Sequence, residues 1–201
     1  MEKRELLYKE MKSVIDDLQY NWKEKTEKEI QDLCKKMGKI ARGENAWYRA
    51  NALSDPNLPE ELLRIGNIFS NNHIILQEII SSIKGMHTRY ELIISDDIYE
   101  FLLKNARHRK VAYVVATFIT DVPQFEDYEG KWEYILSIPN FPPKKDSIDI
   151  FYRVIKKILM KAPKTVKVNA IEIFQDYLDK NQDLDEYTKE EYEGIIKKLK
   201  G

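Results

Sequence analysis

Apolar residues recur every three or four positions over most of this chain, which is the spacing of one face of an amphipathic helix. The first such face is formed by Leu7, Met11, Val14, Leu18 and Trp22. A wholly polar stretch, residues 23–29, follows it, and a second apolar face begins at Ile30. Within the polar stretch, Thr26 and Glu29 have the spacing of a capping box, which marks a helix start. Residues 1–42 are therefore predicted to form either a pair of helices or one long helix with a solvated middle.

Turn-forming residues divide the rest of the chain into further helical segments. Ser54–Pro59 predicts a turn, because a residue that precedes proline is disfavoured in helical conformation. Gly85 is predicted to end one helix, the acidic pair at 96–97 to cap the next, and Thr188 with Glu191 to form a second capping box. Helical segments are predicted around residues 45–54, 62–69, 74–83, 98–102, 108–120, 132–136, 146–159, 166–178 and 188–200. The chain is therefore predicted to be all-α.

Three of these segments share an order in which a cation precedes a small residue on an apolar face. They are residues 48–53, 109–116 and 166–174, with Arg49, Lys110 and Lys167 as the cations. This order resembles the second helix of a HEAT repeat, and residues 166–171 agree with it best. In such a unit the cation is expected to reach an acid of the neighbouring unit or a carbonyl at a helix C-terminus.

The resemblance implies a right-handed α-solenoid of stacked antiparallel helix hairpins of the HEAT or armadillo type. Apolar positions of residues 75–83 recur near 111–119 and again near 151–159, and a period of about 40 residues is typical of such units. We predict one all-helical domain over residues 1–201, with HEAT-like hairpins at 45–180 and a C-terminal capping helix at 188–200. The alternative is an irregular helical bundle.

Composition limits the function classes. The chain is 43% hydrophobic and 33% charged, as expected for a folded domain with a charged surface. Its net charge of −1 gives no overall attraction to nucleic acid or to a membrane. A single cysteine, Cys34, excludes an internal disulfide framework, and no apolar run is long enough to span a membrane. The expected compartment is the cytoplasm.

No motif in the sequence specifies a reaction. His73, His87 and His108 lack a second ligand at the spacing of a helical metal site, and there is no phosphate-binding glycine loop or nucleophile elbow. The acidic residues at 96–97 and 126–129 can serve as caps and solvated loop residues without a catalytic role. We therefore predict no catalytic residue, no metal and no cofactor.

Aromatic and acidic residues near the predicted hairpins are the candidates for binding a partner, because aromatic side chains are frequent binding hot spots. They are Trp47, Tyr48, Tyr113, Glu126, Asp127, Glu129, Trp132 and Tyr152. A basic cluster offers a possible site for phosphate or nucleic acid. It consists of Lys104, Arg107, Arg109 and Lys110.

These features favour a non-catalytic protein-binding module. The small, charged, single-domain chain resembles bacterial immunity proteins, which implies that it binds a cognate toxin and occludes its active surface. Acidic residues 126–129 would suit a basic nuclease as that partner. The alternative is a nucleic-acid-binding HEAT-like protein, or an enzyme similar to the HEAT-like glycosylases that remove alkylated bases. Those enzymes are expected to be more basic than this chain.

Overall fold

A computed structural model describes residues 2–43, 47–53 and 55–201, with the side chains of residues 2, 3, 47 and 48 outside that description. Over these ranges the chain is helical and has no strand, so the all-α prediction is confirmed. The α-helices are α1 (Glu2–Asp16), α2 (Glu27–Ala41), α3 (Trp47–Leu53), α4 (Asn57–Ile68), α5 (His73–Tyr90), α6 (Asp96–Asn105), α7 (Ala112–Ala116), α8 (Lys131–Ser137), α9 (Lys144–Ile158), α10 (Lys164–Lys180) and α11 (Glu186–Lys200). Among the described residues, no helix has the length and apolar character needed to cross a membrane.

The chain divides into two compact units, Met1–Ile119 and Thr120–Gly201. The N-terminal unit contains α1 to α7, and the C-terminal unit contains α8 to α11. Each unit has buried apolar side chains of its own, such as Ile79 in the first and Phe174 in the second. The division of the sequence into an N-terminal pair, HEAT-like hairpins and a capping helix within one domain stays a prediction.

The capping box at Thr26 is confirmed, and it separates the first two helices. The Thr26 hydroxyl accepts the backbone N–H of Glu29 at 3.3 Å, and the Glu29 carboxylate accepts the backbone N–H of Thr26 at 2.8 Å. Between α1 and this cap, the chain passes through one π turn at Asp17–Asn21 and a short 3-10 turn at Trp22–Glu24. Residues 2–41 therefore form two helices and not one long helix.

Helix α5 continues through Gly85, so the prediction that this glycine ends the helix is wrong. Gly85 instead lies against α2, where a Cβ atom on it would stand 2.6 Å from the carbonyl oxygen of Ala41. The absent side chain allows α2 and α5 to pack closely, and this is the most extensive helix pairing in the N-terminal unit. Two helices, α3 and α4, lie between them in sequence, so this pairing is not that of a sequential hairpin.

The apolar segment at 108–120 is buried at several positions but is only partly α-helical. The α-helix covers Ala112–Ala116, and tight turns precede and follow it. At its end, the backbone N–H of Phe118 donates to the carbonyl of Val115, three residues back, and the Thr117 hydroxyl donates to the carbonyl of Val114. The α-helix thus ends in a turn closed by a three-residue backbone bond, and a 3-10 segment follows at Ile119–Asp121.

In the C-terminal unit, aromatic rings join α9, α10 and α11. The ring centroid of Phe174 lies 5.1 Å from that of Phe151 and 5.4 Å from that of Tyr192, and Tyr192 lies 5.5 Å from Tyr152. Such tilted ring pairs stabilise the fold by more than the burial of their apolar area alone. Three helices are thus held around one aromatic cluster, which fixes the position of the cleft described next.

Candidate functional site

A cleft of about 800 Å³ lies within the C-terminal unit, between residues of α9, α10 and α11 and the segments that precede α9 and α11. Two tyrosines, Tyr177 and Tyr192, line it together with the carboxylates of Asp149 and Asp183. Clefts of several hundred Å³ with aromatic walls and a few polar groups are typical of binding sites. The cleft is therefore our candidate functional site.

Tyr192 fixes one wall of the cleft. Only 2% of its surface is exposed, and its hydroxyl donates a hydrogen bond to the carboxylate of Asp149. Burial raises the pKa of this phenol, and the hydrogen bond and negative charge of Asp149 raise it further. Tyr192 thus holds the Asp149 carboxylate at the wall of the cleft.

Tyr177 stands beside Tyr192, with the two rings 5.9 Å apart in an edge-to-face arrangement. Its side chain is half-buried. Burial raises the pKa of the Tyr177 phenol, and the charges of Asp149, Asp183 and Asp146 act in the same direction. The Tyr177 hydroxyl is therefore influenced by the charges of three nearby carboxylates.

The other carboxylates that line the cleft have partners. Asp176 forms an ion pair with Lys180 at 2.6 Å. Asp185 accepts the backbone N–H of Thr188 at 2.9 Å and its hydroxyl at 2.8 Å, and these bonds lower the pKa of Asp185. Asp185 and not Thr188 therefore caps α11, so the predicted second capping box is wrong.

The cleft offers aromatic faces and carboxylates, which are the groups that bind an ammonium or guanidinium ion. Lys144 and Lys145 also line it, and both are exposed. Within the described part of the chain, no group of three or more His, Cys, Asp or Glu side chains is arranged to hold a metal ion. The cleft thus combines groups that can pair with a cation and two lysines that would repel one.

The sequence-based search missed this cleft, although one signal for it was present. Ile173, Asp176, Tyr177 and Lys180 follow helical spacing along α10, which places an aromatic ring and two charges on one face. The partners of that face on α9 and α11 are distant in sequence. Only the folded arrangement shows that they share one cleft.

The structure places the predicted acidic binding residues in a loop that lysines partly neutralise. Glu126 forms an ion pair with Lys161 at 2.7 Å, and Lys131 donates to the Glu126 carbonyl. The hydrogen bond and charge of Lys161, followed by the charge of Lys131, lower the pKa of Glu126. The neighbouring acids Asp127 and Glu129 are exposed.

The predicted aromatic binding residues are divided between the two units. Tyr113 is half-buried in α7 of the N-terminal unit. Trp132 is half-buried in α8, with the Lys131 ammonium 5.2 Å from its ring centroid. Tyr152 belongs to the aromatic cluster, and its hydroxyl donates to Glu191 at 3.0 Å. The side chains of Trp47 and Tyr48 lie outside the described residues.

The predicted basic patch lies at the end of α6 and in the turns before α7. Lys104 donates to Asn67 at 3.0 Å, and Arg107, Arg109 and Lys110 are exposed.

Arg49, the cation of the first HEAT-like segment, contacts the end of another helix. Its guanidinium donates to the carbonyl of Ile40 at 3.5 Å. That carbonyl is in the last turn of α2, so the predicted contact with a helix C-terminus is confirmed for Arg49.

Comparison with family models, with curated proteins and with solved structures gives no match for this chain. The HEAT resemblance therefore rests on the three segments that suggested it, and the immunity-protein interpretation stays a prediction. The function must be argued from the cleft and from the charges around it.

Proposed function

We propose that this chain is a non-catalytic binding protein whose partner is a protein with a basic surface. The observation that carries the proposal is the cleft of the C-terminal unit, where Asp149 and Asp183 stand beside the rings of Tyr177 and Tyr192. Carboxylates attract a partner of opposite charge, and a half-buried aromatic ring such as Tyr177 is a frequent binding hot spot. A basic partner matches both features.

The specific form of this proposal is an immunity protein that binds a cognate toxin and covers its active surface. The resemblance in size and charge to bacterial immunity proteins supports it, as do the exposed acids Asp127 and Glu129 near the start of α8. Inhibition then needs no chemistry, because the bound chain blocks access sterically and its carboxylates compete for the partner's cations.

We further propose that the helices around the cleft are arranged as in a HEAT-type solenoid. Residues 166–174, which agree best with the family pattern, lie in α10, and Phe174 packs on Phe151 of the preceding helix α9. The contact of Arg49 with the end of α2 also fits the expected role of the cation. An experimental structure in which α9 and α10 are not antiparallel neighbours would remove this part of the proposal.

The binding function is tested by affinity capture followed by reconstitution with purified components. The full chain is immobilised, proteins retained from several lysates are identified, and each is then titrated by calorimetry. We expect one basic protein to bind at a defined stoichiometry with a Kd below about 1 µM. Retention of no protein, or only of proteins that do not bind after purification, would contradict the proposal.

The immunity function has a separate test. The captured partner is expected to be toxic when expressed alone and harmless when this chain is co-expressed with it. Adding the purified chain to the purified partner should abolish its activity in proportion to the amount of complex formed. If the partner binds but keeps its full activity, the chain is a binding protein and the immunity function is excluded.

Nucleic-acid binding is a second candidate, and the exposed cations Arg107, Arg109 and Lys110 in consecutive turns favour it. A fluorescence anisotropy titration with duplex and single-stranded oligonucleotides tests it. Binding that weakens steeply with salt and is reduced in an Arg109→Ala/Lys110→Ala variant would support this candidate. Absence of binding at low ionic strength would exclude it.

A further inference from the structure

Two carboxylates of the cleft carry charge that no other described residue pairs with. Asp149 accepts the Tyr192 hydroxyl but forms no ion pair with a described side chain, and Asp183 forms none either. Asp176 and Asp185, by contrast, are already engaged by Lys180 and Thr188. Among these four acids, only Asp176 thus forms an ion pair with a described side chain, whereas Asp149 and Asp185 accept hydrogen bonds from neutral groups and Asp183 is left for a ligand to pair with.

The rings beside these carboxylates restrict the shape of the ligand. Tyr177 is half-buried in edge-to-face contact with Tyr192, and both line the cleft. An alkyl chain packs favourably on such rings, and a cation near their faces gains further attraction. Lysine and arginine side chains combine both properties. A neutral side chain would cover the carboxylates without pairing them, which is unfavourable.

We infer that the cleft takes a lysine or arginine side chain of the protein partner, with its alkyl part against Tyr177 and its charged head at Asp149 and Asp183. The inference rests on the proposed function, since the side chain belongs to that partner. The cleft volume of about 800 Å³ exceeds that of one side chain, so it also admits the backbone that flanks it. Lys144 and Lys145 also line the cleft and are exposed like Asp149 and Asp183, so solvent and salt screen the repulsion by the two lysines and the attraction by the two carboxylates alike.

The recognition chemistry can be tested without the partner. The probes are Nα-acetyl-lysine amide and Nα-acetyl-arginine amide, and Nα-acetyl-norleucine amide is the uncharged control of matched length. They are titrated into the isotope-labelled full chain and followed by NMR. We expect the basic probes to shift resonances of Tyr177 and Asp183 with a Kd on the order of millimolar. Equal shifts with the norleucine probe, or none with the basic probes, would overturn the inference.

Three variants locate the binding site of these probes. Asp183→Asn and Asp149→Asn are each expected to weaken binding of the lysine probe about two- to fivefold, the range for a solvent-accessible ion pair. Asp179→Asn is the matched control, because Asp179 is an exposed acid in the last turn of α10, four residues before Asp183, and lines a different groove. Weakening by Asp179→Asn equal to that by Asp183→Asn would show a general charge effect and refute the site.

A titration of the captured partner separates this inference from the proposed function. Asp183→Asn is expected to raise the Kd of the complex about two- to fivefold, and Asp179→Asn to leave it unchanged. A partner that binds wild type and Asp183→Asn equally would refute the inference and leave the proposed function intact. If no partner is found, the proposed function fails, and the probe titration still decides whether the cleft binds a basic group.

Discussion

The buried hydroxyl of Tyr192 donates a hydrogen bond to Asp149 and so links α11 to α9 across 43 residues of sequence. The bond places a carboxylate at the edge of the aromatic cluster, where it also lines the cleft. One contact thus contributes both to the packing of three helices and to the charge of the candidate site.

This bond leads to a prediction about stability. Tyr192→Phe keeps the ring and removes the hydroxyl, so we expect the free energy of unfolding to fall by about 1 kcal/mol, as for a typical hydrogen bond. Urea denaturation monitored by circular dichroism measures the change. In the Asp149→Ala background the same substitution should cost clearly less, because the acceptor is already absent. Equal costs in both backgrounds would show that the bond contributes nothing.

The tyrosines of the C-terminal unit predict a loss of stability at alkaline pH. Burial is the largest cause that raises the pKa of Tyr152, Tyr177 and Tyr192. The unfolded chain therefore releases these protons first, at an ordinary pKa of about 10. Their contribution to stability is complete below that pH and is lost as the pH rises above it. Urea titrations at increasing pH should show this decline, with a smaller slope in Tyr192→Phe. A rise in stability above about pH 10 would contradict the assignment.

Two glycines should respond in opposite directions to substitution by alanine. A Cβ at Gly85 would lie 2.6 Å from the Ala41 carbonyl oxygen and 3.0 Å from the Ala41 Cβ, whereas a Cβ at Gly194 meets nothing within 4 Å. Alanine favours a helix interior by about 1 kcal/mol over glycine. We expect Gly194→Ala to stabilise the fold by up to that amount.

At Gly85 the overlap with the backbone of α2 should outweigh the gain in helix propensity. Overpacking costs about 1–3 kcal/mol, so Gly85→Ala is expected to be destabilising overall. Thermal unfolding of both variants beside the wild type measures the two effects. A Gly85→Ala variant as stable as Gly194→Ala would show that α2 and α5 do not approach closely.

The cap of α11 predicts a difference between two neighbouring substitutions. Asp185→Ala removes the acceptor of both bonds from Thr188 and should lower stability more than Thr188→Ala, which leaves the backbone N–H bond intact.

The same cap predicts a dependence of stability on pH. Because these bonds lower the pKa of Asp185, its contribution to stability is present above the unfolded pKa of about 4 and is lost as the pH falls through the folded value. Stability curves between acidic and neutral pH should therefore converge for wild type and Asp185→Ala at low pH. An unchanged gap at low pH would show that the charge of Asp185 plays no part.

The helices of this chain could be predicted where the signal is local. The apolar period of three or four residues depends only on neighbours in sequence, and it located most helical segments. The Thr26–Glu29 capping box was also found, since both partners lie within one turn. Helix ends were predicted less well at Gly85 and Thr188. Gly85 packs on Ala41, which is distant in sequence, whereas Asp185 is a local cap three residues before Thr188 that the prediction overlooked.

The candidate site was harder to predict from the sequence than the helices were. The acidic loop near Glu126 is conspicuous in sequence, yet the structure pairs Glu126 with Lys161, 35 residues away. Asp149, Tyr177, Asp183 and Tyr192 are inconspicuous in sequence, yet they line one cleft. Charge runs can be counted from a sequence, but which charges neutralise each other depends on distances in space.

The sequence by itself determined that this chain is helical, where most of its helices lie and which of their faces are apolar. It did so because helix formation and amphipathicity follow from residues a few positions apart. Only the tertiary structure decided that α2 packs on α5 and that α9, α10 and α11 enclose a cleft lined by the carboxylates of Asp149 and Asp183. Any apolar face can cover any other, so the choice among pairings is made by local fit, such as the missing side chain of Gly85 against Ala41 and the ring of Phe174 between those of Phe151 and Tyr192.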